Sequence, residues 1–390
     1  MRRNIIVQPF TLLALLFCCT SCNSKKTIDS MKEDSLFVWQ PALTAPKHYP
    51  VEAKYARIMV GTDMNISISD TNVGYGIGNG FSAVDFSASS GGLELPTGLD
   101  VLWLSFAEKK YYCFKQSFSK NIRERLLQLF QKGYQNENER YDCFVVTLLP
   151  GGKIWLSVAG TGCNTLVCDS LQAEEIQMTL KEFKEGYYET FKTLDNVCIS
   201  GLSDYEGATE NLKVNGIPTS LWKKYATHYP YDIKITFEDH AAILKSESTS
   251  ASDIDADAAC YFTTGEYYDL RSYEGIQNRA ALKKIIFSWC VGNCVGNVCY
   301  HGEFFFDEEE VLNAFHEIFG VAAECMQSGA LDIKVSKYNN LFKICLSSGT
   351  RNYQFEKTKI HVLRTASKEK EEHLVYWNYQ EDGVKQYIGE

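Results

Sequence analysis

The chain has 390 residues, 45% of them hydrophobic and 13% aromatic, with a formal net charge of −10. That is enough apolar material for one large or two medium domains with real cores. The acidic balance excludes a nucleic-acid partner, which needs a basic footprint, and past the N-terminus no apolar stretch is long enough to cross a bilayer.

The first element in chain order is an export signal. Arg2 and Arg3 open it, Ile5 to Phe17 is an almost wholly apolar run, and Cys19-Thr20-Ser21 places small residues just before Cys22. This order predicts a lipoprotein signal at 1–21, cut before Cys22, whose thiol takes the lipid. Several acyl chains, palmitate among them, then hold the protein to a membrane. An ordinary cleaved secretory signal is the plainer alternative. Asn23 in place of an aspartate leans towards the outer membrane, and Lys25 and Lys26 lean towards its periplasmic face. Residues 22–34 read as a tether.

Next, Trp39 precedes His48-Tyr49-Pro50 and an alternating strand from Val51 to Tyr55. A long polar insertion from Thr62 to Gly98 follows. Its glycine run, Gly74, Gly76, Gly78 and Gly80, fits no phosphate-binding spacing and reads as a mobile loop. Val101 to Phe106 and Tyr111 to Phe118 form a hairpin around Glu108-Lys109-Lys110. Ser119 then caps a helix with Ile122, Leu126, Leu127 and Phe130 on one face. Cys143 to Leu149 and Lys153 to Val158 make a second hairpin about Pro150-Gly151-Gly152. Cys163 and Cys168 are a candidate local disulfide, and Ile176 to Leu180 reads as a closing strand.

A boundary is expected near residues 195–212, after which the pattern recurs. Trp222 precedes His228-Tyr229-Pro230 and an alternating strand to Phe237; Ile285 to Trp289 and Val298 to Phe306 form a hairpin. Asp307 caps a helix, with Glu310 placed for a capping box and Val311, Phe315, Ile318 and Phe319 inward. Leu331 to Val335 and Phe342 to Leu346 turn at Tyr338-Asn339-Asn340, and Ile360 to Val362 closes the half. The expected fold class is α+β, a duplicated unit of antiparallel sheet (hairpin, helix, hairpin) with a helix packed on one face. The expected domains are 35–196 and 205–390.

Candidate chemical sites are sparse. Cys290, Cys294, Cys299 and His301 carry zinc-ligand chemistry, but their spacing matches no common module. An oxidising compartment favours a Cys290–Cys299 disulfide across the hairpin, or else unpaired structural thiols, instead. Asp253, Asp255 and Asp257 resemble the start of a calcium loop, yet Ala258 and Thr264 stand where glycine and glutamate are needed. His48 and His228 are structural strand entries or, alternatively, a paired ligand site. Glu303 and Asp307 to Glu310 suit a helix N-terminus. No catalytic motif and no cofactor motif is present.

Trp39 with Ala45 to Glu52, Trp103-Leu104-Ser105-Phe106, and Leu149 to Leu156 resemble the domain of unknown function 2931 lipoproteins of Gram-negative bacteria. The resemblance is strongest over about residues 36–180. It implies an envelope lipoprotein and no known activity. The preferred functional reading is therefore a non-enzymatic binding or scaffold lipoprotein, with the membrane and an envelope protein as partners. A periplasmic immunity protein and an enzyme with an unrecognised site are the alternatives.

Overall fold

The computed structural model describes residues 36–68, 71–79, 91–135, 140–245, 258–270, 275–292, 298–320, 327–366, 372–380 and 383–390. Cys22, Cys294 and the Asp253-to-Asp257 stretch lie outside them. Alternating and doubly apolar segments become strands throughout. In the first half these are β1 (Gln40–Thr44), β2 (Val51–Val60), β3 (Met64–Ser67), β4 (Asn72–Val73), β5 (Pro96–Ser105) and β6 (Lys110–Ser117). Helix α1 (Lys120–Gln135) follows, then β7 (Tyr141–Leu149), β8 (Lys153–Gly160), β9 (Cys163–Gln172) and β10 (Glu174–Ile176). Both expected hairpins are present because their tips carry the backbone they need: Lys109, Gly151 and Gly152 all take positive φ.

Five short helices cross to the second half: α2 (Leu180–Phe183), α3 (Glu185–Phe191), α4 (Leu194–Ser203), α5 (Ala208–Asn215) and α6 (Leu221–Ala226). The strand expected through Leu180 stops at Ile176, because Thr179 and Glu182 close a reciprocal capping box that starts a helix instead. Apolar residues of α2, α4 and α5, such as Phe183, Leu202 and Ala208, cover Leu102 and Leu104 of β5. The second half holds β11 (Tyr229–Phe237), β12 (Ala242–Leu244), β13 (Ala258–Phe262), β14 (Tyr267–Asp269), β15 (Gln277–Arg279), β16 (Leu282–Val291) and β17 (Val298–Phe305). Helix α7 (Glu308–Phe319) comes next, then β18 (Gly329–Val335), β19 (Phe342–Ser348), β20 (Arg351–Gln354), β21 (Lys359–Ala366) and β22 (His373–Trp377).

These strands build three sheets among the described residues: eleven strands along β1-β7-β8-β9-β14-β13-β16-β17-β21-β22 with β12 beside β16, six around β5, and five around β18. The expected α+β class is thereby overturned. The protein is mostly β, and the hairpins before and after each helix belong to different sheets. β5-β6 and β7-β8 part on either side of α1, as β16-β17 and β18-β19 do about α7. The reason is physical. A hairpin in isolation leaves two open edges, and each of the four has at least one edge filled from far along the chain. β1 adds parallel to β7, and β11 adds parallel to β18.

The same long-range pairing joins the two halves of the chain. β9 meets β14 through Asn164 with Tyr267 and Cys163 with Tyr268, so one sheet runs across the expected boundary. Residues Glu33–Glu390 form one compact unit. The Trp-His-Tyr-Pro landmarks are not equivalent in place: Trp39 precedes β1 and Pro50 ends the loop before β2, whereas Trp222 lies in α6 and Tyr229 starts β11.

The helices repeat the lesson of context. Ser119 caps α1 as expected, accepting from the Ile122 N–H, while Leu129 joins Ile122, Leu126 and Phe130 in the core in place of Leu127. Asp307 caps α7, accepting from the Glu310 N–H at 3.0 Å. Glu310 does not complete the box. Its buried carboxylate turns away to accept from the Glu356 and Lys357 N–H groups at 2.8 and 3.0 Å, tying α7 to the loop before β21. Inward, Phe315 and Phe319 pack on Tyr229 and Tyr231 with ring centroids 5.0–6.4 Å apart.

Candidate functional site

The outer face of the large sheet is where side-chain chemistry gathers. On β16 and β17 the even–odd alternation sends Ile285, Phe287, Trp289 and Phe304 to the core. The opposite face carries Lys284 and Ser288 from β16, and Cys299, His301, Glu303 and Phe305 from β17. Direct cross-strand pairing sets Lys284 against Phe305, Ser288 against His301 and Cys290 against Cys299. β13 adds Tyr261 beside Lys284, and β21 adds His361 beside Glu303.

The rings on this face are in contact or bridged. Tyr267 stacks on Tyr261 at 5.6 Å between centroids. The Lys284 ammonium sits 5.6 Å from the Tyr261 ring and 4.7 Å from Phe305, a cation shared between two π faces. Phe305 then meets His361 at 6.1 Å and Tyr379 at 6.3 Å, and Trp377 meets His361 at 5.9 Å and Tyr379 at 5.3 Å.

A polar chain holds these rings. The Lys284 ammonium donates to Glu303 at 3.2 Å, whose other oxygen lies 3.3 Å from His361 Nε2; His361 Nδ1 lies 2.6 Å from the Tyr379 hydroxyl. Burial holds the His361 imidazole below its usual range; Glu303 opposes this, and His301 and Lys284 add to it. Burial, then Glu303, pushes the Tyr379 phenol up. A neutral imidazole donating to Glu303 and accepting from Tyr379 satisfies every partner.

Two cavities open on this ribbon. One, of 530 Å³, has Tyr261, Tyr267, Lys284 and Phe305 among its walls; the other, of 300 Å³, is bounded by His361, Trp377 and Tyr379. Val384 lines both, so they adjoin. The larger is closed on one side by residues 384–390, a segment fixed from within the core. Tyr387 is buried and donates to the Phe306 carbonyl at 3.0 Å, and Glu308 accepts from the Ile388 N–H at 2.7 Å and from Tyr225 at 2.6 Å. Burial drives the Tyr225 phenol far up, so it stays a donor. Lys283 pairs with Glu390 at the rim.

The opposite wall is the turn between β13 and β14. Gly265 at its apex has φ +83°, and a Cβ there would meet the Ile77 carbonyl oxygen at 2.3 Å. The glycine run expected to be mobile is instead pinned where it is described. The Gly76 N–H donates to the Ala45 carbonyl, the Gly78 N–H to Thr147, and Asn164 donates to the Gly78 carbonyl at 2.8 Å. Glu266 knits the same corner together, accepting from the Leu166 N–H at 3.1 Å and from Thr264 at 2.9 Å, with His228 at 3.3 Å.

Burial alone would lower His228, but the Glu266 carboxylate and the Ala226 carbonyl outweigh it and raise the imidazole above its usual 6.5. The charged form is thus favoured in the folded state, and its stabilisation is complete below the unfolded pKa and lost as pH rises through the folded one. Urea unfolding from about pH 6 to 8 should show wild type losing stability relative to His228→Gln; a constant difference would contradict the pair. His48 differs: burial, then Lys47, lowers it. The two imidazoles keep different company, His48 beside Gly207 and His228 against Glu266.

The remaining candidates separate. Cys290 and Cys299 are joined by a disulfide with Cα atoms 4.1 Å apart, and His301 is hydrogen-bonded to Ser288 at 3.0 Å. Among the described residues no group of three or more His, Cys, Asp or Glu side chains converges for a metal. Cys163 and Cys168 are not joined, because both lie on β9 and five extended residues span about 16 Å, beyond disulfide reach. Glu303, read as a helix-terminus acid, lies on β17 within the ribbon. Tyr261, Lys284, His361, Trp377 and Tyr379 were not anticipated. The available signal was Val298 to Phe306, whose aromatic residues fall on both faces of one strand.

Fold and site define a mostly-β protein with an aromatic, charge-laced double cavity on one sheet face. Over residues 23–220 the chain matches the family described as Protein of unknown function (DUF2931), and it belongs to that family. Nothing matches it among curated proteins or among solved structures. No described helix is long and apolar enough to cross a membrane.

Proposed function

We propose that this protein is a lipid-anchored envelope protein that binds a ligand on the ribbon face without transforming it. The double cavity carries the reading. Its size suits a small-molecule or oligomeric ligand, and its lining combines aromatic walls with a few fixed polar groups. Against catalysis, Ser288 is buried on the ribbon face, and Tyr379 is held protonated by burial and by Glu303, so neither hydroxyl beside a histidine is an activated nucleophile.

The anchoring half rests on the N-terminal pattern ending at Cys22. Labelled palmitate fed to cells should enter the wild-type chain and be absent from Cys22→Ala, which should leave the membrane fraction. Equal labelling of both would overturn it.

The binding half is tested by thermal unfolding of the full chain with and without detergent-free envelope extract, split into fractions by size. A binder of the folded state raises Tm by mass action. One fraction should raise it for wild type and not for Phe305→Ala; no shift with any fraction would contradict the reading.

A further inference from the structure

We infer that the ligand is a glycan chain whose sugar rings lie across the strands on the ribbon. The inference rests on the binding reading above and names its substrate class. Tyr267, Tyr261, Phe305, His361 and Trp377 lie on β14, β13, β17, β21 and β22, Lys284 fills the place between them on β16, and Tyr379 follows β22. Rings and one cation thus cross the sheet from β14 to β22, with a step of two residues between Phe305 and His361. Five strand spacings of about 4.8 Å make a platform about 24 Å long, and each spacing is close to the advance of one pyranose ring in an extended chain. The negative face of an aromatic ring attracts the partly positive C–H face of a sugar. The hydroxyls at the sugar's edge need donors and acceptors alongside, and Lys284, Glu303, Asn79 and Gln386 supply both.

Other classes fit less well. Single-stranded nucleic acid also stacks on rings but needs a positive groove; here Glu266, Glu303 and Glu390 line the site and the chain carries a charge of −10. A lipid tail needs continuous apolar walls, which Lys284 and Glu303 interrupt. A peptide added as a strand needs an open sheet edge, whereas the ribbon occupies a sheet face.

Calorimetric titration of the full chain with chitohexaose, cellohexaose and maltohexaose tests this. At least one should bind saturably, about tenfold more weakly to Trp377→Ala and to Tyr261→Ala. Leu341→Ala, exposed on the β18–β19 turn, should bind as wild type does. Trp377 is 42% exposed, so its removal leaves folding intact, as circular dichroism would verify. Absence of binding to all three sugars, or binding that neither ring variant weakens, overturns the inference. If an envelope fraction still raises Tm for wild type, the binding reading stands and only the glycan assignment falls.

Discussion

Trp289→Ala should be the most destabilising single truncation in the second half, by about 4 kcal/mol in urea unfolding. The indole is fully buried and packs on Phe287, Tyr300 and Phe342 with centroids 5.3–6.3 Å away. Its N–H donates to Asn339 Oδ1 at 2.8 Å, and Asn339 is itself buried in the β18–β19 turn at φ +58°. Truncation therefore opens a cavity and also strands a buried amide. Trp289→Phe keeps most of the packing and loses only the donor, so it should cost about 1–2 kcal/mol. Equal losses for the two variants would show that the hydrogen bond, and not the packing, dominates.

The second large effect is expected at Gly265. Its left-handed backbone and the Ile77 carbonyl 2.3 Å from any Cβ leave no room for a methyl group. Gly265→Ala should cost about 3 kcal/mol, from backbone strain together with displacement of residues 76–79. Both Gly265 and Ile77 wall the larger cavity, so binding should weaken along with stability. Gly275→Ala is the control: φ is +79° there too, but nothing lies within 4 Å of the added Cβ. The difference between the two isolates the steric contribution. Similar losses at both would place the whole cost in backbone conformation.

Local features were legible in the sequence to a degree that long-range ones were not. All four hairpins flanking α1 and α7 could be read, since their tips carry turn residues and their strands alternate. So could the caps at Ser119 and Asp307, whose partners lie three residues away. The sheets could not. Whether β7 pairs with β1 or with β6 depends on edges separated by about a hundred residues or by an intervening helix, and no periodicity encodes that choice. Glu310 shows the same limit in one side chain. Its spacing fits a capping box, but two N–H groups at 356 and 357 compete for it and win.

The site was the least legible part because it is assembled from pieces without a motif. Tyr261 and Lys284 meet through β13–β16, Glu303 and His361 through β17–β21, and Val384 closes over both cavities from near residue 390. His301 and Glu303 attracted notice for zinc and for a helix dipole. Their alternation with Phe305 on one strand was the better clue, because it places charge and rings on a single outer face.

Amide hydrogen exchange of the full chain, with and without the envelope fraction that raises its Tm, tests the central claim most directly. The account predicts added protection confined to residues 76–79, 258–267, 282–291, 298–305, 359–366, 372–380 and 383–390, with the five-stranded β15-β11-β18-β19-β20 sheet unchanged. Protection centred on β11, β18 and β19, or on the helices α2 to α6, would place the binding surface elsewhere and contradict it.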